Sequence, residues 1–89
     1  MTDYEKRDCL NMAKRFAELY YNSGLVGIST DIKRNPRLHL TVNAFNELYK
    51  DSEFHFREHG DDYEVYTEDD GVSVFALLTK EEMLGGVNE

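Results

Sequence analysis

The chain has 89 residues, of which 40% are hydrophobic and 12% aromatic, so we expect one folded domain over residues 1–89 and exclude a two-domain or disordered chain. Its single cysteine, Cys9, excludes an intramolecular disulfide, and neither a secretion signal nor an apolar run of roughly 20 residues is found, so we expect a cytoplasmic protein. The net charge of −8 repels phosphates and anionic lipid headgroups, which disfavours direct binding to nucleic acid or membrane.

A long helix is predicted first. Thr2 and Glu5 have the spacing of a capping box, and apolar residues recur at intervals of three and four from Cys9 to Tyr21. The sequence Asn22-Ser23-Gly24 is typical of a helix end. The apolar stripe is wide, so we expect the helix to be buried on two sides, with Cys9 filling part of the core.

A short hairpin and a second helix are predicted next. Apolar and polar residues alternate over residues 25–32, residues 33–37 form a turn, and residues 38–40 resume the alternation as a return strand. Thr41 can cap a short helix over residues 42–49. The first strand is expected to face the core with Val26, Ile28, Thr30 and Ile32.

Three further strands are predicted over residues 53–58, 63–67 and 72–79, joined by tight turns rich in glycine and aspartate. The last of these strands is almost continuously apolar, which is typical of an interior strand covered on both sides, and residues 80–84 are expected to add a helical turn. The predicted fold class is a two-layer α+β domain: an N-terminal helix, a short hairpin, a short helix and a three-stranded antiparallel meander, with both helices on one face of the sheet.

The sequence gives no support for an enzyme. Cys9 has no cysteine-enzyme signature around it, and the acids of residues 58–70 lack the alternating spacing of a calcium loop. His55 and His59 would lie about 13 Å apart along a strand, at roughly 3.3 Å per residue, which is too far for one zinc ion. We therefore expect no catalytic residues, no metal and no cofactor.

The strongest chemical feature is the uneven distribution of charge. Residues 1–50 hold six acidic against eight basic residues, whereas residues 51–89 hold twelve against two, giving +2 and −10. Glu64, Tyr66 and Glu68 are predicted to share one outward-facing strand face. Acidic side chains interleaved with an aromatic ring suit arginine-rich surfaces, because guanidinium groups pair with carboxylates and stack on rings. The residues predicted to bind a basic protein surface are Glu58, Asp61, Asp62, Glu64, Tyr66, Glu68, Asp69 and Asp70.

The stretch from Leu38-His39-Leu40-Thr41 through Gly71-Val72 to Phe75-Ala76-Leu77 resembles small uncharacterised proteins encoded in phages and prophages of Gram-positive bacteria. The resemblance covers residues 38–78 and falls on core and turn positions, so it supplies no catalytic residues. It implies an accessory phage protein acting in the host cytosol, a group that includes inhibitors of host defence such as anti-CRISPR proteins.

The leading functional hypothesis is a non-enzymatic inhibitor or adaptor that docks on a basic, nucleic-acid-binding protein. Three alternatives stay open. The acidic residues can form a solvated surface that only keeps the protein soluble. The apolar face of the first helix, with Met12, Phe16 and Leu19, can mediate homodimerisation in a structural or assembly protein. A small-ligand pocket can also be formed by Tyr20, Tyr21, Phe54 and Phe56.

Overall fold

A computed structural model describes residues 1–79 of the chain. These residues form two helices and five strands. In chain order the elements are α1 (Asp3–Asn22), β1 (Leu25–Thr30), β2 (Pro36–Leu40), α2 (Val42–Tyr49), β3 (His55–His59), β4 (Asp62–Asp69) and β5 (Val72–Leu78). The helical turn predicted over residues 80–84 lies outside the described residues.

The five strands form one mixed sheet in the order β1-β2-β5-β4-β3. The β1–β2, β3–β4 and β4–β5 pairs are antiparallel, and β2 and β5 are parallel. The predicted α+β class is confirmed. The predicted strand arrangement, a short hairpin followed by a three-stranded antiparallel meander, was partly wrong, because all five strands belong to one mixed sheet. The edges of β2 and β5 carry backbone N–H and C=O groups that would otherwise lack strand partners, and their parallel pairing joins the two units.

The core lies between the helices and one face of the sheet. Phe45 of α2 is fully buried and packs with Val74 and Ala76 of the central strand β5 and Val65 of β4. Strand β5 lies in the interior of the sheet as predicted, because β2 and β4 flank it, but α1 and α2 cover only one of its two faces. The remaining buried residues of this core cluster are Leu25, Leu40 and Leu78.

Helix α1 has the predicted start and end but not the predicted burial. Thr2 accepts from the backbone N–H of Glu5, whose side chain accepts in return from the backbone N–H of Thr2, which completes the capping box. No residue of the helix is buried, and Cys9 is exposed, so the expected burial on two sides and the expected core position of Cys9 were wrong. Only Phe16 and Leu19 pack against the core, because the sheet covers one part of this 20-residue helix.

Strand β1 also differs from its predicted register. The strand shifts register between Leu25 and Gly27, which puts Leu25 in the core and disturbs the simple alternation. All four residues that were expected to face the core are exposed: Val26, Ile28, Thr30 and Ile32. Their exposure follows from the position of β1 at the edge of the sheet and of Ile32 beyond the end of the strand.

Gly24 lies between α1 and β1 and contacts the start of α2. Its φ of +83° is one that residues with a side chain rarely adopt. A Cβ atom at this position would lie 2.6 Å from Oγ1 of Thr41 and 2.8 Å from Cβ of Ala44, and the Gly24 carbonyl accepts from the backbone N–H of Thr41 at 2.8 Å. The close contact needs glycine and fixes the two helices against the same face of the sheet.

Candidate binding surface on the open face of the sheet

Both helices pack against one face of the sheet, and the opposite face, which we call the open face, carries polar and aromatic residues. Directly opposed residues on neighbouring strands share a face. The strand register therefore places two rows of side chains together, one across β2, β5, β4 and β3 and one across β4 and β3. The first row is His39, Phe75, Tyr66 and His55, and the second includes Glu64 and Arg57.

Glu64 lies between two arginines, and we call these three residues the arginine–glutamate cluster. Arg37 Nη2 donates to Glu64 Oε1 at 3.0 Å, and Arg57 donates from Nε and Nη2 to Glu64 Oε2. The Glu64 side chain is 2% exposed, compared with 26% for Arg37 and 52% for Arg57. The arginines therefore cover the carboxylate and neutralise it, leaving one surplus positive charge in the cluster.

Aromatic rings support both guanidinium groups. Cζ of Arg37 lies 4.1 Å from the ring centroid of Phe75, and Cζ of Arg57 lies 4.4 Å from that of Tyr66. The imidazole of His39 also stacks on Phe75, with centroids 4.5 Å apart. These contacts bury Phe75 on a face that neither α1 nor α2 covers, and they hold the guanidinium groups in place.

His39 is a packing residue on this face. Burial is the largest cause that lowers the pKa of His39 below its ordinary value, and the positive charge of Arg37 lowers it further, whereas Glu64 acts in the opposite direction. A neutral imidazole at neutral pH suits its stacked position on Phe75 and argues against a role as a charged contact.

The structure divides the predicted acidic surface into two groups. The β3–β4 loop end carries Glu58, Asp61 and Asp62, and the β4–β5 loop end carries Glu68, Asp69 and Asp70. Strand β4 has eight residues, so its two ends are about 23 Å apart at roughly 3.3 Å per residue. All six are exposed apart from Asp62, which is partly buried.

Glu64 does not belong to the accessible acidic surface on which the sequence placed it. Tyr66 lies beside it on the open face, partly buried under Arg57. Glu64 and Tyr66 do share a strand face with Glu68, as the alternation predicts, but the carboxylate of Glu64 is already bound to two arginines. The expectation of a single outward-facing row of carboxylates is therefore wrong at its centre.

Asp69 contacts the end of α2 through a hydrogen bond. The Tyr49 hydroxyl donates to Asp69 Oδ2 at 2.9 Å. Burial is the largest cause that raises the pKa of Tyr49 to about 12, and the hydrogen bond to Asp69 and the charge of that carboxylate add to it. This bond attaches the second helix to the β4–β5 hairpin.

The raised pKa of Tyr49 predicts a loss of stability in alkali. The folded protein keeps the phenolic proton up to a pKa of about 12, whereas the unfolded chain loses it near pH 10, so this contribution is complete below about pH 10 and is lost as the pH rises through about 12. Urea unfolding at about pH 9 and about pH 11.5 should show an extra loss of about 1 kcal/mol in the wild type compared with Tyr49→Phe. Equal losses in both proteins would contradict the assignment.

Other predicted sites are not assembled in the described part of the chain. No group of three or more histidine, cysteine or acidic side chains within residues 1–79 could hold a metal ion. Tyr20 contacts Tyr21, and Phe54 contacts Phe56, but no ring contact within these residues joins the two pairs into the predicted ligand pocket. No helix in this part of the chain is long and apolar enough to cross a membrane.

One cavity formed by the described residues is a groove of about 780 Å³ on the open face. Its walls come from the β1–β2 turn and from strands β2 to β5. Arg37 and Arg57 of the arginine–glutamate cluster line it together with Asp31, Asn35, His55, Tyr66, Thr67, Glu68, Gly71 and Ser73. No single segment of the sequence contains this set, which explains why sequence analysis did not predict the groove.

Comparisons with protein families, curated proteins and solved structures find no match to this chain.

Proposed function

We propose that this protein is a non-enzymatic binding protein that docks on a basic protein surface through the exposed acids of its two hairpin ends. One observation carries the proposal. None of the six acids at these ends takes part in an ion pair within residues 1–79, whereas the buried Glu64 has two. The negative charge at the ends is therefore left for a partner.

The spacing of the two acidic ends restricts the kind of partner. A surface that contacts both ends must present basic residues at points about 23 Å apart, since the two ends of β4 have that separation. Extended basic surfaces of this size are typical of proteins that bind the nucleic-acid backbone. We therefore propose an inhibitor or adaptor, which includes a phage antagonist of host defence, and Glu64 lies outside its contact surface.

Charge reversal at each end tests the proposal. The variants are Glu58→Lys with Asp61→Lys at one end, and Glu68→Lys with Asp70→Asn at the other. Asparagine is chosen at position 70 because it tolerates the positive φ of 51° found there. Titration with an arginine-rich peptide long enough to span both ends should show about tenfold weaker binding for each variant, and the wild-type affinity should fall with added salt.

The matched control reverses two exposed acids away from the hairpins, Asp8→Lys in α1 with Glu47→Lys in α2. It changes the net charge as much as the first variant and should bind the peptide nearly as well as the wild type. Equal weakening in the control would mean that only the net charge matters. That result, or an affinity for the peptide that changes neither on charge reversal nor with added salt, would overturn the proposal.

A second candidate function is self-association through α1, and the exposure of its apolar residues favours it. Leu10, Met12 and Tyr20 are each more than half exposed, although Met12 precedes the packed Phe16 by one helical turn. The stripe that packs on the sheet thus continues along the uncovered part of the helix, as in a surface that binds a second copy.

Sedimentation equilibrium over a concentration series separates the two candidates. Self-association predicts a dimer that Met12→Lys converts to a monomer, whereas Asn11→Lys, which adds the same charge at the neighbouring position on another side of the helix, leaves it dimeric. A wild-type protein that stays monomeric at all concentrations would exclude this candidate and leave the acidic docking proposal untouched.

A further inference from the structure

The groove on the open face has the chemistry of a second binding site, which shares only Glu68 with the acids of the hairpin ends. Its volume of about 780 Å³ lies within the range of small-molecule pockets. The groove residues that supply hydrogen-bond donors are Arg37, Arg57, His55, Tyr66, Asn35 and Ser73. We propose that this groove binds the carboxylate group of a small ligand, with Arg37 and Arg57 as its anchors.

The donors for such a ligand follow from how the two arginines use their N–H groups. A guanidinium has five N–H donors. Arg37 reaches Glu64 through Nη2, and Arg57 reaches it through Nε and Nη2, so the Nη1 group of neither arginine takes part in the bonds to Glu64. Phe75 and Tyr66 hold the two guanidinium groups, which reduces the entropy lost when a ligand binds.

The arginine–glutamate cluster favours a single negative charge on the ligand, although Asp31 and Glu68 bring the sum of charges around the groove, with Glu64 included, to −1. Two arginines against one buried carboxylate leave a surplus of one positive charge, which a carboxylate neutralises. Asp31 and Glu68 also line the groove. Asp31 is engaged, since it accepts from the backbone N–H groups of Lys33 and Asn35, but its charge and that of Glu68 repel polyanions such as nucleic acid.

The test uses benzoate, its neutral analogue benzamide, and inorganic phosphate, each titrated into the full chain and followed by NMR. Benzoate at millimolar concentrations should shift the Arg57 side-chain and Tyr66 ring signals in a saturable way, and benzamide should not. The absence of saturable shifts with benzoate, or equal shifts with benzamide, would overturn the proposal. Tighter binding of phosphate than of benzoate at the same residues would overturn the assignment to carboxylates.

Substitutions at Ser73 provide a matched pair that keeps all three residues of the arginine–glutamate cluster. Ser73 is directly opposite Arg37 on β2 and Glu68 on β4. Ser73→Glu adds a negative charge in the groove and should weaken benzoate binding about tenfold, whereas the similarly sized Ser73→Gln should weaken it at most about threefold. Equal weakening by both would show that the groove excludes the ligand by size alone and would overturn the role of the charge.

The same experiment distinguishes this site from the proposed docking function. Ser73→Glu leaves the six acids at the hairpin ends unchanged, so its binding to the arginine-rich peptide should remain within about twofold of the wild type. Failure of benzoate to bind, with peptide binding intact, would overturn the groove proposal alone.

Discussion

Replacing Glu64 with alanine is expected to destabilise the fold by about 3 kcal/mol. The substitution removes the carboxylate that Arg37 and Arg57 share, and leaves two like charges facing each other across the space that it filled. Breaking a buried ion pair costs more than removing an exposed charge, because the remaining charged group stays partly desolvated. Urea unfolding followed by circular dichroism measures the loss as a lower transition midpoint.

Two comparisons make the Glu64 prediction specific. Glu68→Ala removes an exposed carboxylate from the same face of the same strand and should change stability by less than about 0.5 kcal/mol. Replacing the whole cluster at once, with Arg37→Met, Glu64→Leu and Arg57→Met, should come within about 1 kcal/mol of the wild type, since no charge is then left without its partner. Equal costs for Glu64→Ala and Glu68→Ala would show that the buried cluster does not form.

Phe45→Ala is expected to have an effect at least as large, about 3–5 kcal/mol. The Phe45 side chain is fully buried and its ring packs against those of Tyr49 and Phe54, at centroid distances of 5.0 and 6.0 Å. Removing it leaves a cavity between α2 and the central strands and loses both ring contacts. Such a loss is a large part of the stability of a domain of this size, so partial unfolding at room temperature is expected.

Leu48→Ala is the matched control for Phe45→Ala. Leu48 lies in the same helix but is 64% exposed, so its replacement should cost less than about 0.5 kcal/mol, and alanine preserves the helix propensity. Thermal unfolding of the three proteins at neutral pH gives the comparison. Similar melting temperatures for Phe45→Ala and Leu48→Ala would contradict the position of the core beneath α2.

The local elements were predictable because their signals are local. Caps at Thr2 and Thr41, the stop at Gly24, and the tight turns gave both helices and all five strands near their observed positions. The wrong expectations concern which side of an element is covered. The apolar stripe of α1 and the alternation of β1 define a face, but whether that face is buried depends on the extent of the sheet beneath it.

One half of the arginine–glutamate cluster could have been predicted from the sequence. A two-residue loop at Gly60-Asp61 pairs His59 with Asp62, and the antiparallel register that follows places Arg57 opposite Glu64. The sum of charges over residues 51–89 conceals this pairing, because it treats every carboxylate as equally available. The loop at Asp70-Gly71 sets Tyr66 opposite Phe75 by the same reasoning.

The other half depends on tertiary structure. Arg37 lies 27 residues before Glu64 and reaches it because β2 pairs in parallel with β5, a contact between units that the turns do not specify. The amino-acid sequence by itself thus determined the helices, the hairpins and the excess of acid near their ends, since these depend on neighbours along the chain. Only the tertiary structure decided that Glu64 is buried and that the open face has a groove with two arginines, because long-range strand pairing brings their charges together.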